Sequence, residues 1–258
     1  MTLWAQGRYE SVAEHISDIA VQTVEAADRR SPLAGAAVVD LACGTGSAAL
    51  AAAARGARVT GVDLTPELLD LAKAKANGTD VDIRWVAADA ADTGLPSAAF
   101  DVVVSNMGII FVEPDGQVAE LRRLLKPDGV LAFSAWVRVT GNPLSDPIAA
   151  VFAGAPVPAF TPDQWGDPEQ IERRLAAGFG ELTIDTGVYT WRFENLDAAL
   201  RFVQYESPLH LAAFARCDTA QREALAEAFA AALREHIDAD GAVRFDSPYA
   251  VVTARRGA

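Results

Sequence analysis

The chain has 258 residues, 51% of them hydrophobic, and 22 Lys and Arg against 35 Asp and Glu give a formal net charge of −13. A chain of this length can bury a sizeable core without disulfide bonds, and its acidity disfavours nucleic acid and anionic membranes as partners. Its two cysteines have no C-x-x-C spacing, and no apolar run approaches a membrane span. Because the cysteines lack metal-site spacing, we expect no bound metal. Because the N-terminus also lacks a secretion signal, we expect a soluble, cytoplasmic protein.

The first 140 residues alternate between strand and helix patterns. An N-terminal helix is predicted over residues 9–20. The strands are predicted at 36–42, 57–63, 81–89, 100–106 and 129–137, and the helices between them at 47–55, 65–78 and 116–126. Strands that alternate with helices of about ten residues are typical of a parallel sheet with right-handed crossovers.

The second half of the chain is less regular. Six prolines lie between residues 140 and 168 and indicate an irregular segment. After it, the pattern predicts a helix at 168–178, a strand at 179–193, helices at about 195–206 and 218–236, and a last strand at 247–256.

A glycine turn and three acids mark one edge of the predicted sheet. The turn lies in "VVDLACGTGSAAL", residues 38–50, and Asp40, Asp63 and Asp89 fall at or near the ends of three successive strands. Ligands of open α/β sheets bind at the carboxyl ends of the strands. Carboxylates there disfavour a pyrophosphate but suit hydroxyls, an amine and a sulfonium. The alternative for the turn is a tight strand-to-helix connection, with Gly46 serving helix–strand packing.

The segments "VVDLACGTG", "GVDLT", "AADA" and "FDVVVSNMGIIFVEPDGQVAELRRLLKPDGVLAFSAW" resemble the small-molecule class I S-adenosylmethionine-dependent methyltransferases. The resemblance implies an α/β fold: a Rossmann-like, doubly wound, seven-stranded sheet, mostly parallel with an antiparallel last strand and with helices on both faces. It implies one domain over residues 1–258. Its parts would be an N-terminal lid at 1–30, a cofactor-binding core at 31–139, and cap or substrate-pocket insertions at 140–178 and 193–238.

The resemblance also implies roles for the glycine turn and the first two acids. Gly44 and Gly46 would let the backbone approach the methionine part of S-adenosylmethionine, where a Cβ would collide. Asp40 would orient this loop and lie near the ammonium. Asp63 would accept hydrogen bonds from both ribose hydroxyls, and Leu64 would lie against the adenine.

Three further positions follow from the same resemblance. Asp89 would accept from the exocyclic amine of the adenine, with the Ala90 backbone N–H reaching a ring nitrogen. Asn106 stands where the family uses a main-chain oxygen to hold the amine of the cofactor. Ala42 replaces the usual glycine of the first loop, so we expect shifted contacts there.

The N-terminal segment "LWAQGRYESVAEH" is expected to fold over the cofactor as a lid. In that position Arg8 and Tyr9 could donate to the carboxylate of the cofactor, since a guanidinium and a phenol are good donors. The alternative is a solvated Arg8 and a Tyr9 packed on the edge of the sheet.

A general base is needed only if the acceptor is protonated at the working pH. The segment after the fourth strand, where many family members have a histidine, carries Ile110 and Phe111 instead. His15 and His210 are the candidates for catalysis, although a surface or packing role is the alternative for each. His236 follows a helix end and is expected to interact with the helix dipole.

Aromatic side chains could line an apolar cavity for the acceptor, or could be ordinary core. The candidates are Trp4, Phe111, Trp136, Phe160, Trp165, Phe202 and Tyr205.

The function indicated is transfer of a methyl group from S-adenosylmethionine, with S-adenosylhomocysteine as product, to a small apolar or aromatic acceptor by in-line displacement. We expect a monomer or homodimer. One alternative is a protein that binds the cofactor without catalysis. Another is a nicotinamide-dependent dehydrogenase, because "GTGSAA" also fits G-x-G-x-x-A. Against the dehydrogenase, the chain has no Tyr-x-x-x-Lys pair, and Asp89 would have no role.

Overall fold

The computed structural model describes residues 2–79, 81–156 and 158–257. The helices are α1 Tyr9–His15, α2 Ser17–Arg30, α3 Ser47–Ala53, α4 Pro66–Ala76, α5 Pro114–Leu124, α6 Asp146–Val151, α7 Pro168–Leu175, α8 Leu196–Arg201, α9 Pro208–Ala215 and α10 Thr219–Arg234. The strands are β1 Ala37–Leu41, β2 Arg58–Asp63, β3 Ile83–Ala87, β4 Phe100–Asn106, β5 Leu125–Trp136, β6 Phe179–Phe193 and β7 Val243–Arg256. Within the described part of the chain, each helix is too short or too polar to cross a membrane.

The strands form one sheet in the order β3-β2-β1-β4-β5-β7-β6. Strand β1 pairs in parallel with β2 and β4, β2 pairs in parallel with β3, and β4 with β5, whereas β7 runs antiparallel to β5. The predicted fold class is therefore confirmed, including the antiparallel last strand. Because β1, β2 and β4 are neighbours and parallel, their carboxyl ends meet at one edge of the sheet.

The chain divides into two compact units. The sheet unit comprises Ile16–Arg138, Phe160–Gly187 and Tyr249–Ala258, and the helical unit comprises Met1–His15, Val139–Ala159 and Val188–Pro248. The predicted lid at 1–30 is thus shared between the units, as is the predicted insertion at 140–178, whereas the insertion at 193–238 lies within the helical unit. The predicted division into one domain with a lid and caps stays a prediction.

The core of the sheet unit is built from small and branched residues. Val38 and Val102 of the sheet are fully buried, and Ala49 and Ala52 of α3 pack in the same cluster together with Val24 of α2. Alanine allows these helices to lie close to the strands, because it has no side chain beyond Cβ. Because β1 is buried from Val38 to Leu41, the turn that follows it is the first segment after the strand that can meet a ligand.

The start of β5 differs from the prediction. The helix expected to reach residue 126 ends at Leu124, and β5 begins at Leu125, which pairs with Phe100. Lys126 precedes Pro127, and the proline ring disfavours helical backbone at the residue before it. Asp128 then has a φ of +63°, so "LKPDG" forms an irregular start of the strand rather than the end of the helix.

Four helical segments also differ. The predicted N-terminal helix is broken at Ile16 into α1 and α2. The predicted helix at 195–206 consists of α8 followed by one π-helical turn, Phe202–Glu206. The proline-rich segment contains the short helix α6, and α9 was not predicted; both begin with proline in the first turn, where its missing N–H costs nothing.

Candidate functional site

The turn between β1 and α3 contains three residues with left-handed backbone. Ala42, Gly44 and Gly46 have φ values of +51°, +52° and +82°, and Gly46 directly precedes the helix. This region suits glycine, whereas alanine adopts it only at a cost. Ala42, the departure from the family pattern, is therefore a strained residue within the turn.

Asp63, the last residue of β2, holds the glycine turn in place. Its Oδ2 accepts a hydrogen bond from the Gly44 backbone N–H at 2.8 Å, and its Oδ1 accepts from the Thr65 N–H at 2.8 Å. The turn is also held from α4, because Lys75 Nζ donates to Thr45 Oγ1 at 3.0 Å. Burial raises the pKa of Asp63, and the hydrogen bonds from the two backbone amides oppose that rise. The Thr65 side chain also bonds to Asp63, and because a carboxylate has about four acceptor positions, capacity remains for a ligand hydroxyl.

Asp40 is a buried acid with one oxygen lacking a partner. Its Oδ2 accepts from the Ala49 N–H of α3 at 2.8 Å, while Oδ1 has no hydrogen-bond partner among the described residues. Burial raises the pKa of Asp40 to about 8; the bond from Ala49 lowers it, and the charge of Asp63 raises it. A buried acceptor without a partner is costly, so a cationic donor from a ligand would satisfy it.

Gly46 serves packing as well as the turn. A Cβ at Gly46 would lie 2.7 Å from Cη2 of Trp85, and one at Gly61 would lie 2.5 Å from the same indole. The packing alternative for Gly46 therefore has a structural basis, and it is compatible with a role toward a ligand. Trp85 was missed in the sequence, where the alternation of β3 marked it only as a strand residue.

The two segments that follow β2 and β3 carry the predicted adenine contacts. Leu64 is 57% exposed and presents an apolar surface directly after Asp63. Asp89 was expected to close β3, but the strand ends at Ala87. Asp89 instead lies in an exposed turn, where its Oδ1 accepts from the Ala91 N–H at 2.8 Å. Ala90 is buried. The roles of these residues toward adenine stay predictions.

Asn106, the last residue of β4, has its side chain committed to the fold. Its Nδ2 donates to the Ile16 carbonyl at 3.1 Å, and its Oδ1 accepts from Ser134 Oγ at 2.7 Å. Two residues on, a Cβ at Gly108 would lie against the Ala42 carbonyl oxygen. The end of β4 therefore lies beside the glycine turn, and the predicted role of the Asn106 main-chain oxygen stays a prediction.

Arg8 and Tyr9 belong to the helical unit. The Arg8 backbone N–H donates to the Glu206 carbonyl at 2.9 Å, and its exposed guanidinium lies 4.0 Å from the Glu206 carboxylate. The Tyr9 ring lies edge-on to Trp4, with centroids 6.0 Å apart. The start of the chain thus packs on the π-helical turn within its own unit. Contacts of Arg8 and Tyr9 with a cofactor carboxylate stay predictions.

His210 is buried with both ring nitrogens occupied. Nε2 lies 2.9 Å from the Leu144 carbonyl, which can only accept, so Nε2 carries the proton and Nδ1 accepts from Ser207 Oγ at 2.7 Å. Burial lowers the pKa of His210 to about 4. This arrangement connects α9 to residue 144 and leaves no ring nitrogen for a substrate, which favours the packing alternative over catalysis.

His15 lies at the end of α1 among aromatic side chains. Its Nδ1 is 2.8 Å from the hydroxyl of Tyr189. Its ring centroid is 4.8 Å from that of Trp191, 5.7 Å from Phe193 and 5.6 Å from Phe202. Tyr189, Trp191 and Phe193 were not selected from the sequence, although their spacing of two along β6 places them on one face of the strand.

The aromatic candidates are divided between the units. In the helical unit, Phe202 lies within this aromatic cluster, whereas Tyr205 is 66% exposed. In the sheet unit, Trp165 is fully buried against Phe133 and is therefore core. His236, expected at a helix dipole, has its ring 5.5 Å from that of Phe245.

Comparison with known proteins finds a family match over the segment that contains the glycine turn. A family model described as "Methyltransferase domain" matches residues 39–133. An uncharacterized protein of Mycobacterium tuberculosis is 35% identical over 136 residues, 52% of this chain and 48% of that protein. Demethylmenaquinone methyltransferase of Clavibacter sepedonicus is 38% identical over 100 residues, 38% of this chain and 40% of that protein.

Among solved structures, phosphoethanolamine N-methyltransferase 2 of Haemonchus contortus, in complex with S-adenosyl-L-methionine, has a TM-score of 0.57 at 20% identity. The alignment covers 92% of this chain and 52% of that one, and at this identity it shows the fold alone. The chain spans about half the length of the first curated relatives it matches. The family model confirms the resemblance to methyltransferases for residues 39–133.

Proposed function

We propose that this chain, whose residues 39–133 match a methyltransferase domain, transfers a methyl group from S-adenosylmethionine to a small, flat, apolar or aromatic acceptor. The observation that carries the proposal is Asp40. A deeply buried carboxylate oxygen without a partner, next to a left-handed glycine turn, is suited to a cationic amino-acid group. The family match over the same residues supports this interpretation of the turn.

The residues around the turn fit the chemistry of the cofactor. Asp40 would accept from the ammonium, and Asp63 would accept from the ribose hydroxyls while it keeps its bonds to the backbone amides. The exposed face of Leu64 suits the purine ring. Gly44 and Gly46 would leave room for the methionine part, because neither projects a side chain into the turn.

The remaining cofactor residues lie at the ends of the next strands. Asp89 would accept from the adenine amine, and the Ala90 N–H would donate to a ring nitrogen. The main-chain oxygen of Asn106 would accept from the amine that Asp40 also holds. Ala42 lies in the glycine turn itself, and its methyl group would shift the contacts of the cofactor there relative to those made by a glycine.

Bound S-adenosylmethionine would supply a methyl group activated by a positively charged sulfur. For such a displacement the chain has to align the acceptor with that methyl group and exclude water. The residues of the glycine turn and the strand ends would provide the alignment on the cofactor side.

The aromatic cluster of the helical unit supports a flat acceptor. The cluster contains Trp191 and Phe202, which are buried, and His15 and Tyr189, which are half-buried at its margin. Rings at such a margin favour an aromatic ligand over a polar or charged one. The name of the Clavibacter relative gives a quinone-type acceptor for that protein. We therefore propose a hydroxylated aromatic, such as a quinol or phenol, as the acceptor class here.

Calorimetry with S-adenosylmethionine, S-adenosylhomocysteine and NADH tests the cofactor. We expect micromolar binding of the first two and none of NADH, and at least tenfold weaker binding by Asp63→Ala. Asp70→Asn, an exposed acid on α4, is the matched control and should bind normally. An absence of binding at millimolar S-adenosylmethionine would overturn the proposal, and tight binding of NADH would favour a dehydrogenase.

Catalysis is tested with S-adenosylmethionine that carries a deuterated methyl group, incubated with a bacterial extract and the protein. We expect a mass-labelled aromatic product that is missing with Asp63→Ala. If the cofactor binds but no labelled product forms, the protein is a cofactor-binding module without transferase activity.

A further inference from the structure

His15 and Tyr189 form a hydrogen-bonded pair in the helical unit. The distance of 2.8 Å joins Nδ1 of the imidazole to the phenol oxygen. The two residues are 174 positions apart in the chain, one at the end of α1 and the other on β6. Both side chains are half-buried, unlike Trp191 and Phe202, which are buried beside them. The pair therefore lies at the margin of the aromatic cluster rather than within it.

The second nitrogen of His15 is available to a ligand. Nε2 makes no hydrogen bond to any residue that the structure describes. It is also not one of the buried polar atoms that lack a partner, so it is accessible from outside the protein. His210 offers the contrast, because both of its nitrogens are bonded inside the protein. Of these two histidines, His15 is the one that can exchange a proton with a small molecule.

The surroundings keep His15 neutral. Burial lowers the pKa of His15, and the nearby carboxylates of Glu14 and Glu206 only partly offset that effect. A neutral imidazole has one lone pair, and Tyr189 decides which nitrogen carries it. If the phenol oxygen accepts from Nδ1–H, the lone pair is on Nε2, where it can act as a base.

The backbone next to this pair is unusual. The π-helical turn Phe202–Glu206 is closed by a hydrogen bond from the Ser207 N–H to the Phe202 carbonyl at 2.9 Å. Single π turns are rare and frequently occur at functional sites. This one brings the ring of Phe202 within 5.6 Å of His15 and 6.1 Å of His210, measured between centroids.

We propose that His15 is the general base for a hydroxylated aromatic acceptor and that Tyr189 is the positioning residue that fixes its reactive tautomer. The inference rests on the proposed function. The O–H bond of the acceptor breaks and an Nε2–H bond forms. The electron pair of the broken bond stays on the phenolic oxygen and makes that oxygen a better nucleophile. The imidazolium then returns its proton to water.

Nitrogen-15 NMR of histidine-labelled protein tests the tautomers without any turnover. We expect His15 in the Nδ1–H form and His210 in the Nε2–H form at pH 7. Tyr189→Phe should return His15 to the Nε2–H form favoured by free imidazole. Tyr249→Phe is the matched control: it also removes a bonded phenol, 2.6 Å from Gln22, and should leave His15 unchanged. An Nε2–H form of His15 in the unaltered protein would overturn the proposal.

The acceptor class is tested with 1-naphthol as the probe and 1-methoxynaphthalene, which cannot donate a proton, as its partner. We expect 1-naphthol to shift the Nε2 signal of His15 and to bind about fivefold more weakly to Tyr189→Phe and His15→Gln, the loss of about one hydrogen bond. The methoxy compound should leave Nε2 unshifted. A titration with 1-naphthol that leaves His15 unperturbed would refute the assignment.

Calorimetry with S-adenosylmethionine on the same samples separates the two proposals. If the cofactor binds but the tautomer or the naphthol shift is absent, only the role of the pair fails. If the cofactor does not bind, the proposed function fails, whatever His15 does. Thermal melts of each variant show whether the fold is retained, and His15→Gln provides a second test if Tyr189→Phe is unstable.

Discussion

Cofactor binding should release a proton from Asp40. In the protein alone, burial raises the pKa of Asp40 to about 8, so at pH 7 about nine in ten molecules hold this carboxyl protonated. An α-amino group has an ordinary pKa of about 8 and is therefore mostly cationic at pH 7. A cation beside Oδ1 favours the carboxylate form. Asp40→Asn has nearly the same shape and cannot lose the proton.

The number of protons released on binding tests the role of Asp40 more sharply than the change in affinity does. A hydrogen bond to a charged group contributes about 1.5–3 kcal/mol, but ionising Asp40 at pH 7 costs about 1.4 kcal/mol of that. Asp40→Asn should therefore weaken binding by only about 1- to 15-fold. The unaltered protein should release about 0.8 proton per ligand: about 0.9 from Asp40, less about 0.1 taken up by the amine. Asp40→Asn should instead take up about 0.1 proton.

The assay is calorimetric titration of S-adenosylhomocysteine at pH 7 in phosphate and in Tris, whose ionisation enthalpies differ. The slope of observed enthalpy against the enthalpy of buffer ionisation gives the number of protons exchanged. Asp70→Asn, an exposed acid on α4, should keep the full release. Equal proton release from the unaltered protein and from Asp40→Asn would refute the reasoning, since the proton would then come from another group.

Two further substitutions and one pH series test the turn and its surroundings. Ala42→Gly should stabilise the protein by about 1 kcal/mol and raise its melting midpoint by about 2–4 °C, because φ at this position is +51°; scanning calorimetry that shows a lower midpoint would contradict the strain. Gly46→Ala should cost about 1–3 kcal/mol in urea unfolding, because its Cβ would lie 2.7 Å from Cη2 of Trp85; an unchanged midpoint would mean that the indole moves freely. As the pH rises from 4 to 8, the unfolded chain ionises Asp40 near its ordinary pKa of 3.8 while the folded chain keeps the proton up to about 8. The unfolded state then binds fewer protons, so the free energy of unfolding should fall relative to Asp40→Asn; urea unfolding at pH 5, 7 and 9 would show a constant difference if this were wrong.

Local patterns were sufficient to predict the alternation of strands and helices in the first half of the chain and the position of the turn. The run at 36–42 and the acid at its end are visible without any partner, and Thr65 with Pro66 marks the start of α4. These features depend on neighbours within a few residues, which is the range over which caps and alternation act. The boundaries that were wrong, at Leu125 and after Ala87, are set by pairing with other strands and by backbone strain near Pro127.

Contacts between distant segments could not be predicted in the same way. The partner of His15 is Tyr189 on β6, and nothing near His15 in the sequence indicates a phenol. The alternation of Tyr189, Trp191 and Phe193 was the available signal, because it places three aromatic rings on one face of a strand. That signal predicts an aromatic face, and only the fold of the helical unit shows which histidine lies against it.

The position of Asp40 can be predicted from the motif, whereas its protonation state depends on packing. The motif indicates an acid near the end of β1, but it does not determine whether that acid is ionised. The protonation state follows from α3, whose Ala49 N–H occupies one oxygen at 2.8 Å while the alanine-rich helix excludes water from the other. Glycine and alanine after the acid are what allow the helix to approach so closely. The same small residues that open the turn to a ligand therefore also bury Asp40, so the proposed cofactor site should change its affinity with pH as the ionisation of this carboxyl changes.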